Sequence, residues 1–352
     1  MRRRRRHAAI AIGLILIGAL LLLVSMPSRP LQDDNNNVQQ LSSNYMYYHV
    51  DASNGFRTNL NSLPRPPHFE PPHNETVTIV TALLDIGRAD WSVYQRPISV
   101  YLEYMRPLLA LRVPIVIFVD PSVDSTPLRD ARRDTQHITQ IRRLSFHQLP
   151  FAAHRSVMQS ILSDEQRNNS SGSRQQQPEA LHADYDILMC SKTYLLAVVA
   201  SENPFQTRYF AWLDAGYGHG DATVFPPDRI WRPTFAAEQI AIVQRADFKA
   251  DHFKRIDQLY RRSFEALVMG GMIGGDRAAV LTLHAKFHQL FLELLEKRYV
   301  DDDQTLMTLL LANDGLPQKD HNNRTLASSR LFAPKTGDFF DAFRLWPSES
   351  HG

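Results

Sequence analysis

Three short apolar runs, each ending in an aspartate, constrain the fold of this chain most. They are VTIVTALLD, ending at Asp85, PIVIFVD, ending at Asp120, and YFAWLD, ending at Asp214. Each is rich in β-branched or aromatic residues and has the length of one strand. Continuous apolar strands are typical of parallel sheets, whose carboxyl ends form the ligand crevice of open α/β folds. We therefore expect the three carboxylates to gather along one edge of a sheet.

Helical patterns alternate with these strands along the chain. The predicted helices span residues 94–111, 185–200, 277–299 and 305–313, and two further strands are predicted at residues 240–245 and 265–269. The helices are assigned from apolar residues at helical spacing, and the strands from short apolar runs. The alternation predicts a single α/β domain over residues 77–346, with a mostly parallel, Rossmann-like sheet flanked by helices.

The amino terminus predicts a membrane anchor. Five arginines at positions 2–6 precede nineteen uncharged residues, 8–26, that contain no proline. A helix of that length rises about 28 Å, close to the thickness of the hydrocarbon core of a bilayer. Arginines hold their end of an anchor in the cytosol, so a cytosolic tail at 1–7 and an external or lumenal domain are expected. A cleavable signal peptide is the alternative, because Ser25 is a small residue near the end of the apolar run.

Two polar stretches flank or interrupt the domain. Residues 27–72, rich in proline, asparagine and glutamine, predict an extended stem, and residues 163–179 predict a mobile, disordered surface loop. Glycosylation sequons begin at Asn74, Asn168, Asn169 and Asn323. Together with the anchor they predict a single-pass type II membrane glycoprotein, facing the lumen of the Golgi or endoplasmic reticulum if the cell is eukaryotic. A bacterial inner-membrane protein would need the same signals.

Charge and cysteine content exclude several classes of protein. With the five arginines set aside, 34 of the 39 basic residues remain against 37 acidic ones, so nucleic-acid binding by the folded part has no electrostatic support. Cys190 is the only cysteine, which excludes intrachain disulfides and thiolate metal clusters. The chain also lacks a G-x-S-x-G elbow and a Walker loop.

Three motifs carry the candidate chemistry. Asp214 precedes a glycine-rich turn, so its carboxylate is either a ligand at the sheet edge or a cap on that turn. GGMIGGD, residues 270–276, predicts a loop that wraps a ligand, a tight turn capped by Asp276 before a helix, or both. DDDQ, residues 301–304, begins a helix, where the helix dipole favours acidic residues, but three carboxylates exceed what one cap requires.

Two motifs partly match known site signatures, but the residues around them do not complete the match. Gly216, Gly218 and Gly220 follow a strand, but prolines rather than a helix come next, so a dinucleotide fingerprint is not expected. His284 and His288 share a helix face without the glutamate that a metalloprotease motif needs. We therefore expect these histidines to have structural partners.

The motifs that remain, in this order, resemble the HtrL/YibB family. They are TIVTALLDIGR, PIVIFVD, the stretch from Ser191 to Phe205, WLDAGY, GGMIGGD and DDDQ, and the resemblance covers residues 78–346. The family resembles GT-A type glycosyltransferases. This resemblance implies transfer of a sugar from a nucleotide-sugar donor to a glycan, lipid or protein acceptor. The alternative is a non-catalytic glycan-binding or scaffold domain that kept the fold and lost turnover.

The resemblance also implies roles for residues on the donor side of the site. The end of the first strand, with Thr81, Asp85 and Arg88, would hold the nucleotide base and ribose. Asp214 stands where the D-x-D motif would bind Mn²⁺ or Mg²⁺ and the diphosphate, but the pattern here is Asp-Ala-Gly and lacks the second carboxylate. Asp120 or Asp85 would supply the missing ligand, or Lys192 and Arg88 would neutralise the diphosphate directly.

The remaining implied residues lie near the transferred sugar and the acceptor. The loop over the donor sugar would consist of Gly270, Gly271, Gly274 and Gly275. The late acidic site near the acceptor would consist of Asp302, Asp303 and Gln304. Sugar transfer passes through an oxocarbenium-like state that needs a nearby carboxylate, for which Asp303 or Asp302 is the candidate. The carboxylate would act as a base in an inverting reaction, or would stabilise or attack the sugar in a retaining one.

Overall fold

The computed structural model describes residues 77–168, 177–245, 267–313, 330–332 and 339–348. Its strands are β1 (Val77–Leu83), β2 (Ile115–Val119), β3 (Thr139–Arg143), β4 (Tyr209–Leu213), β5 (Gln239–Gln244), β6 (Val268–Asp276) and β7 (Arg330–Phe332). Its α-helices are α1 (Ile98–Leu109), α2 (Thr126–Ala131), α3 (Arg155–Asn168), α4 (Pro178–Leu181), α5 (Ala183–Cys190), α6 (Lys192–Glu202), α7 (Arg277–Glu296), α8 (Asp303–Asn313) and α9 (Ala342–Leu345). The predicted tail, anchor and stem lie outside the described residues. Among the described helices, none combines the length and the low polarity needed to cross a bilayer.

The described strands form one seven-stranded sheet in the order β3-β2-β1-β4-β6-β5-β7. Neighbouring strands from β3 to β4 run parallel, β6 is antiparallel to β4 and β5, and β5 pairs in parallel with β7. The mostly parallel α/β sheet predicted from the sequence is confirmed. The chain adds β2 and β3 on one side of β1 and then returns to its other side with β4. In open α/β sheets, ligands bind at such a reversal, outside the carboxyl ends of the strands.

Helices cover both faces of the sheet because the strands are apolar on both sides. On one face, side chains such as Val80 and Phe210 pack in a core built with α3, α5, α6, α7 and α8. On the other face, side chains such as Ile79 and Leu213 pack with α1, α2 and α9. Alternate residues of one strand therefore enter opposite cores, which anchors the loops at the carboxyl ends of β1 and β4.

All four predicted helices have somewhat different bounds in the structure, and two of them differ most. The helix predicted at 94–111 begins only at Ile98, because Pro97 occupies the position before it with extended backbone angles. The helix predicted at 185–200 is two helices that separate at Ser191. The Ser191 hydroxyl donates back to the Ile187 carbonyl at 2.6 Å, a bond that bends helices. The break makes Lys192 the first residue of α6.

The glycine-rich segment 270–276 is a strand, and its prediction as a loop is wrong. A single strand, β6, runs from Val268 to Asp276 and contains all four glycines. Glycine pairs usually indicate turns, but here they provide space for side chains packed against the strand, as the site shows below. The predicted cap is confirmed, since Asp276 Oδ1 accepts from the Ala279 amide at 2.8 Å at the start of α7.

Strand β3 and part of the predicted 163–179 loop also differ from the sequence analysis. β3 has the polar sequence TQIRR and lies at the edge of the sheet, so it lacks the apolar pattern of the central strands. Residues 163–168 complete α3, and residues 178–181 form α4. The remainder of the predicted loop, 169–176, lies outside the described residues.

His284 on α7 is a part-buried partner of α6, as expected for a structural histidine. Its Nδ1 lies 3.2 Å from the Thr193 hydroxyl, and its ring stacks on His288. Burial, and then the charge of His288, lower the pKa of His284 to about 3.

The depressed pKa of His284 predicts acid-sensitive packing of α6 against α7. An unfolded histidine takes up a proton below about pH 6.5, whereas folded His284 does not, so its contribution to stability is present above that pH and is lost as the pH falls toward 3. At pH 5 the expected loss is about 2 kcal/mol. Urea unfolding at pH 7 and pH 5 should show a smaller difference for His284→Gln than for the unchanged protein. The exposed His137→Gln is the control, and an equal pH effect in both variants would contradict the assignment.

Candidate functional site

A cavity of about 390 Å³ lies at the carboxyl ends of β1 and β4, where the winding of the sheet reverses. Residues 82–86 form one wall, residues 214–217 form another, and Met189, Gly270 and Gly271 contribute from α5 and β6. Its volume lies in the range of small-molecule sites, about 300–1,000 Å³. The cavity therefore occupies the place where this class of sheet binds ligands.

Lys192 lies at the base of the cavity and joins two carboxylates from distant parts of the chain. Its Nζ lies 3.1 Å from Asp214 Oδ1 and 3.1 Å from Asp303 Oδ2. It also donates to the Gly270 carbonyl at 3.2 Å. The Lys192 side chain is 2% exposed and that of Asp303 1%, whereas Asp214 is 35% exposed. The two aspartates assigned to one site from the sequence do lie together, with an ammonium between them.

The Asp214 carboxylate is fixed by side chains and does not cap the turn that follows it. Its Oδ1 accepts from the Trp212 indole N–H at 2.7 Å, in addition to its contact with Lys192. In the turn, it is the backbone carbonyl of Asp214 that accepts from the Tyr217 amide, at 2.9 Å. The carboxylate is thus oriented from behind while its exposed part lines the cavity.

Burial and charge act in opposite directions on Lys192 and Asp303. Burial lowers the pKa of Lys192, but Asp214 and Asp303 outweigh it, so the pKa is raised above its usual value. Burial, together with the charges of Asp302 and Asp214, raises the pKa of Asp303 in spite of Lys192. The ammonium therefore stays protonated across the physiological range. Asp303 takes up a proton more readily than an exposed aspartate.

Strand β6 is irregular where it passes the site. Ile242 of β5 pairs with Ile273, but the next residue, Val243, pairs with Met269, so the strand bulges at residues 270–272. A Cβ atom on Gly270 would lie 2.2 Å from Asp303 Oδ2, and one on Gly271 would lie 3.6 Å from Tyr217. Gly270 is therefore what lets Asp303 approach the strand and reach Lys192.

Gly270→Ala is expected to destabilise the protein far more than Gly271→Ala. The added methyl group would overlap a buried carboxylate, and overpacking of this kind costs about 1–3 kcal/mol. At Gly271 the same methyl group meets ordinary van der Waals distances. Urea unfolding of both variants measures the difference. Equal losses would mean that glycine at position 270 serves the backbone of the strand and not the approach of Asp303.

The three consecutive aspartates have different partners. Asp302 Oδ1 accepts from the Gln304 amide at 3.0 Å, and Asp302 Oδ2 accepts from the Gln304 side chain, so Asp302 caps α8. Asp301 accepts from the Asp302 amide and the Thr305 hydroxyl. Burial, and then Asp301, raise the pKa of Asp302. Capping accounts for Asp301 and Asp302, and Asp303 is the one that reaches Lys192.

Two arginines line the mouth of the cavity without a carboxylate partner among the described residues. Arg88 donates to the Tyr101 hydroxyl and to the Tyr94 carbonyl, and its buried Nε–H has no acceptor among those residues. Its guanidinium also lies 5.1 Å from the centre of the Trp91 ring. Arg96 packs its guanidinium 5.5 Å from the Tyr101 ring. Uncompensated guanidiniums beside a cavity favour a bound anion.

The structure brings seven of the twelve residues assigned from the sequence to the cavity wall. These are Asp85, Arg88, Lys192, Asp214, Gly270, Gly271 and Gln304. The wall does not include Thr81, Gly274, Gly275, Asp302 or Asp303. Thr81 is buried within β1, Gly274 faces Phe235, and Gly275 faces the backbone of β5.

Asp120 was a candidate ligand that the structure places away from the cavity, whereas two residues that contact the site were not assigned from the sequence. Asp120 does follow β2 at the same edge of the sheet, but it accepts from Ser122 and does not line the cavity. Arg96 and Trp212 have site contacts that the sequence analysis did not assign. A signal for Trp212 existed, because Trp212 is two residues before Asp214 in the same strand. Arg96 fell inside the helix predicted at 94–111, but it lies before α1 in the structure.

The two carboxylates that meet at the site already share a cation, because Lys192 contacts both of them. Among the described residues, no group of three or more histidine, cysteine, aspartate or glutamate side chains could hold a metal ion. The oxygens that come closest to such a set surround the Lys192 ammonium. A dication there would have to replace a positive charge that is already present.

Comparison with known proteins identifies the family. A family model described as a bacterial protein of unknown function, HtrL/YibB, matches residues 75–348, well over half of the chain. The chain belongs to the HtrL/YibB family. The resemblance noted in the sequence is thereby confirmed, and the match includes every described element from β1 to α9.

This HtrL/YibB chain is also similar to individual proteins. It is 26% identical over 251 residues to protein HtrL of Escherichia coli strain K12, and the alignment covers 66% of this chain and 83% of that protein. A solved transferase with two cysteine-to-serine substitutions has a TM-score of 0.33 and 12% identity, covering 71% of this chain and 90% of that chain. A TM-score this low supports no conclusion about function.

Proposed function

We propose that this HtrL/YibB protein is a GT-A-like glycosyltransferase that moves a sugar from a nucleotide-sugar donor to a hydroxyl of a glycan, lipid or protein. One observation carries the proposal: a cavity at the reversal of the sheet is lined by two uncompensated guanidiniums and by one fixed, part-exposed carboxylate. The guanidiniums suit a diphosphate, and the carboxylate suits a reacting sugar.

Arg88 and Arg96 are the residues that would bind the diphosphate. Guanidinium groups bind phosphate oxygens through paired N–H donors, and Arg88 has a buried Nε–H still without an acceptor among the described residues. Tyr101 contacts both guanidiniums and holds them on one side of the cavity. When the bond between the sugar and the diphosphate breaks, charge grows on the leaving phosphate oxygens, and these two cations stabilise it.

Asp214 is the carboxylate that would act on the acceptor. The acceptor oxygen forms a bond to the anomeric carbon, the bond from that carbon to the phosphate oxygen breaks, and the nucleoside diphosphate leaves with the bonding electrons. The acceptor proton passes to Asp214, which acts as general base. Of the candidate carboxylates at the base of the cavity, Asp214 is part-exposed and lines it, while Asp303 is 1% exposed and does not.

The residues behind Asp214 would set its position. Lys192 and Trp212 contact the Asp214 carboxylate, and Asp303 holds Lys192 from the other side. Asp303 is in this scheme a positioning residue that acts through Lys192. Asp302 fixes the start of α8 and so the place of Asp303.

Arg88→Met is expected to weaken binding of nucleoside diphosphates by about 10- to 100-fold, because charged hydrogen bonds contribute about 1.5–3 kcal/mol. Methionine keeps much of the side-chain volume and removes only the charge and its donors. Isothermal titration calorimetry measures the effect. Arg112→Met is the matched control, because Arg112 is exposed and lies before β2, at the opposite edge of the sheet. Equal binding by both variants would place the diphosphate elsewhere.

A binding and turnover panel tests the function itself. UDP-, GDP- and CMP-sugars are screened by thermal shift, and released nucleoside diphosphate is measured with glycan, lipid and peptide acceptors. Stabilisation by one donor class and its turnover would support the enzyme. Stabilisation by glycans alone, without nucleotide binding, would support the glycan-binding alternative and overturn the proposal.

A further inference from the structure

Four oxygens from three residues surround the ammonium of Lys192. Asp214 Oδ1 and Asp303 Oδ2 each lie 3.1 Å from Nζ, and the Gly270 carbonyl oxygen lies at 3.2 Å. The fourth oxygen is Asp214 Oδ2, to which Nζ donates at 3.4 Å, so two carboxylates and one carbonyl share the ammonium in a cage of oxygens. The oxygens come from three elements that are distant along the chain: β6, α8 and the loop after β4.

We propose that the Lys192 ammonium takes the place of a divalent cation, so that the site binds its ligand without a metal. Carboxylate and carbonyl oxygens are the ligands of hard cations such as Mn²⁺ and Mg²⁺. Here they are already occupied by a covalently attached charge that is 2% exposed. The proposal explains why only one aspartate follows β4, because the cation held there comes from α6.

The geometry of the cage sets what happens when Lys192 is removed. The two carboxylate oxygens lie on the same nitrogen and so are no more than twice 3.1 Å apart. Cations bind such oxygens at about 2.0–2.6 Å, so a small contraction of the cage would accommodate one. Without the ammonium, Asp214 and Asp303 leave negative charge at a mostly buried position, which a divalent cation would neutralise. Removal of Lys192 should therefore create a metal site that the natural protein lacks.

Metal-dependent thermal unfolding of the full-length chain tests the proposal. The chain is kept in detergent because residues 8–26 are strongly apolar. The unchanged protein should melt at the same temperature in excess Mn²⁺ and in EDTA. Lys192→Gln should gain a rise of roughly 5–10 °C when Mn²⁺ stands about 100-fold above its dissociation constant. The double variant Lys192→Gln with Asp303→Asn should lose that gain, and the exposed Lys297→Gln should never show it.

Two results would overturn the proposal. One is stabilisation of the unchanged protein by Mn²⁺ that disappears in Asp214→Asn, because the native cation would then be the metal. The other is a Lys192→Gln variant that folds but whose melting temperature does not rise with Mn²⁺, because the oxygens would then not form a cation cage.

A second measurement on the unchanged protein covers the case in which Lys192→Gln does not fold. Binding of UDP, GDP and CMP is measured by calorimetry in EDTA and in Mn²⁺. Equal affinity in both supports the proposal, and binding that requires Mn²⁺ contradicts it. This nucleotide-binding measurement rests on the proposed function. If no nucleotide binds, the proposed function fails, while the response of the unchanged protein to Mn²⁺ still decides whether the site uses a metal.

Discussion

Replacing Lys192 by methionine is expected to lower the free energy of unfolding by about 3–5 kcal/mol at pH 8, the usual cost of removing one partner from a buried ion pair. Methionine fills a similar volume, so the loss comes from charge. Asp303, which is 1% exposed, loses the cation 3.1 Å away and stays close to Asp214 and Asp302. Urea denaturation measures the loss, and the exposed Lys297→Met should change stability by less than about 0.5 kcal/mol.

The loss in Lys192→Met should shrink as the pH falls. Burial already raises the pKa of Asp303, and without Lys192 that pKa rises further. A group whose pKa is raised on folding gives its full contribution to stability below its unfolded pKa, and this contribution is lost as the pH rises through the folded pKa. The variant should thus be closer to the unchanged protein at pH 5 than at pH 8. A loss that is the same at both values would show that packing, and not charge, is what Lys192 contributes.

Asp214→Asn is expected to reduce turnover by about 10²- to 10⁴-fold, the usual contribution of a general base, while nucleoside diphosphate affinity changes only a few-fold. The amide keeps the shape of the side chain but cannot take the acceptor proton. Stability should change little, because Lys192 retains Asp303 and the Gly270 carbonyl. Steady-state kinetics and calorimetry on the same preparation separate turnover from binding.

Asp120→Asn is the matched control for Asp214→Asn. Asp120 also follows a strand at this edge of the sheet, but it does not line the cavity, and its Oδ1 accepts from the Ser122 amide at 2.9 Å, a bond that asparagine also makes. Its turnover should stay within a few-fold of the unchanged protein. If both variants lost turnover equally, the base would not be assigned to Asp214. If Asp214→Asn lost binding in proportion to turnover, Asp214 would serve the ligand and not the reaction.

The sheet edge could be predicted from sequence because its signals are local. The apolar runs before Asp85, Asp120 and Asp214 each specify a buried strand, and parallel strands bring their carboxyl ends together. The meeting of Asp214 with Asp303 was implied only by the family resemblance. No local pattern could place Lys192 between them, because its position follows from the break at Ser191 and from the packing of α6 under β4 and β6.

The prediction of a loop at residues 270–275 was wrong for a different physical reason. Glycine is selected both for positive φ in turns and for the absence of a side chain beside a close neighbour, and the sequence does not distinguish the two. The structure shows the second case: Gly270 makes room for Asp303 and Gly274 makes room for Phe235. Arg96 was missed because the sequence analysis placed it inside a helix at 94–111, whereas that helix begins only after Pro97.

The close approach of Gly270 and Asp303 means that these two distant positions cannot change independently in evolution. With 2.2 Å between a hypothetical Cβ and the carboxylate oxygen, any side chain at position 270 requires a shorter or displaced residue at position 303. Lys192 would then lose one of its two counter-charges, so a third substitution would be needed to keep the charges balanced. Homologues should therefore inherit these three residues as a set or replace them as a set, with single exchanges removed by selection.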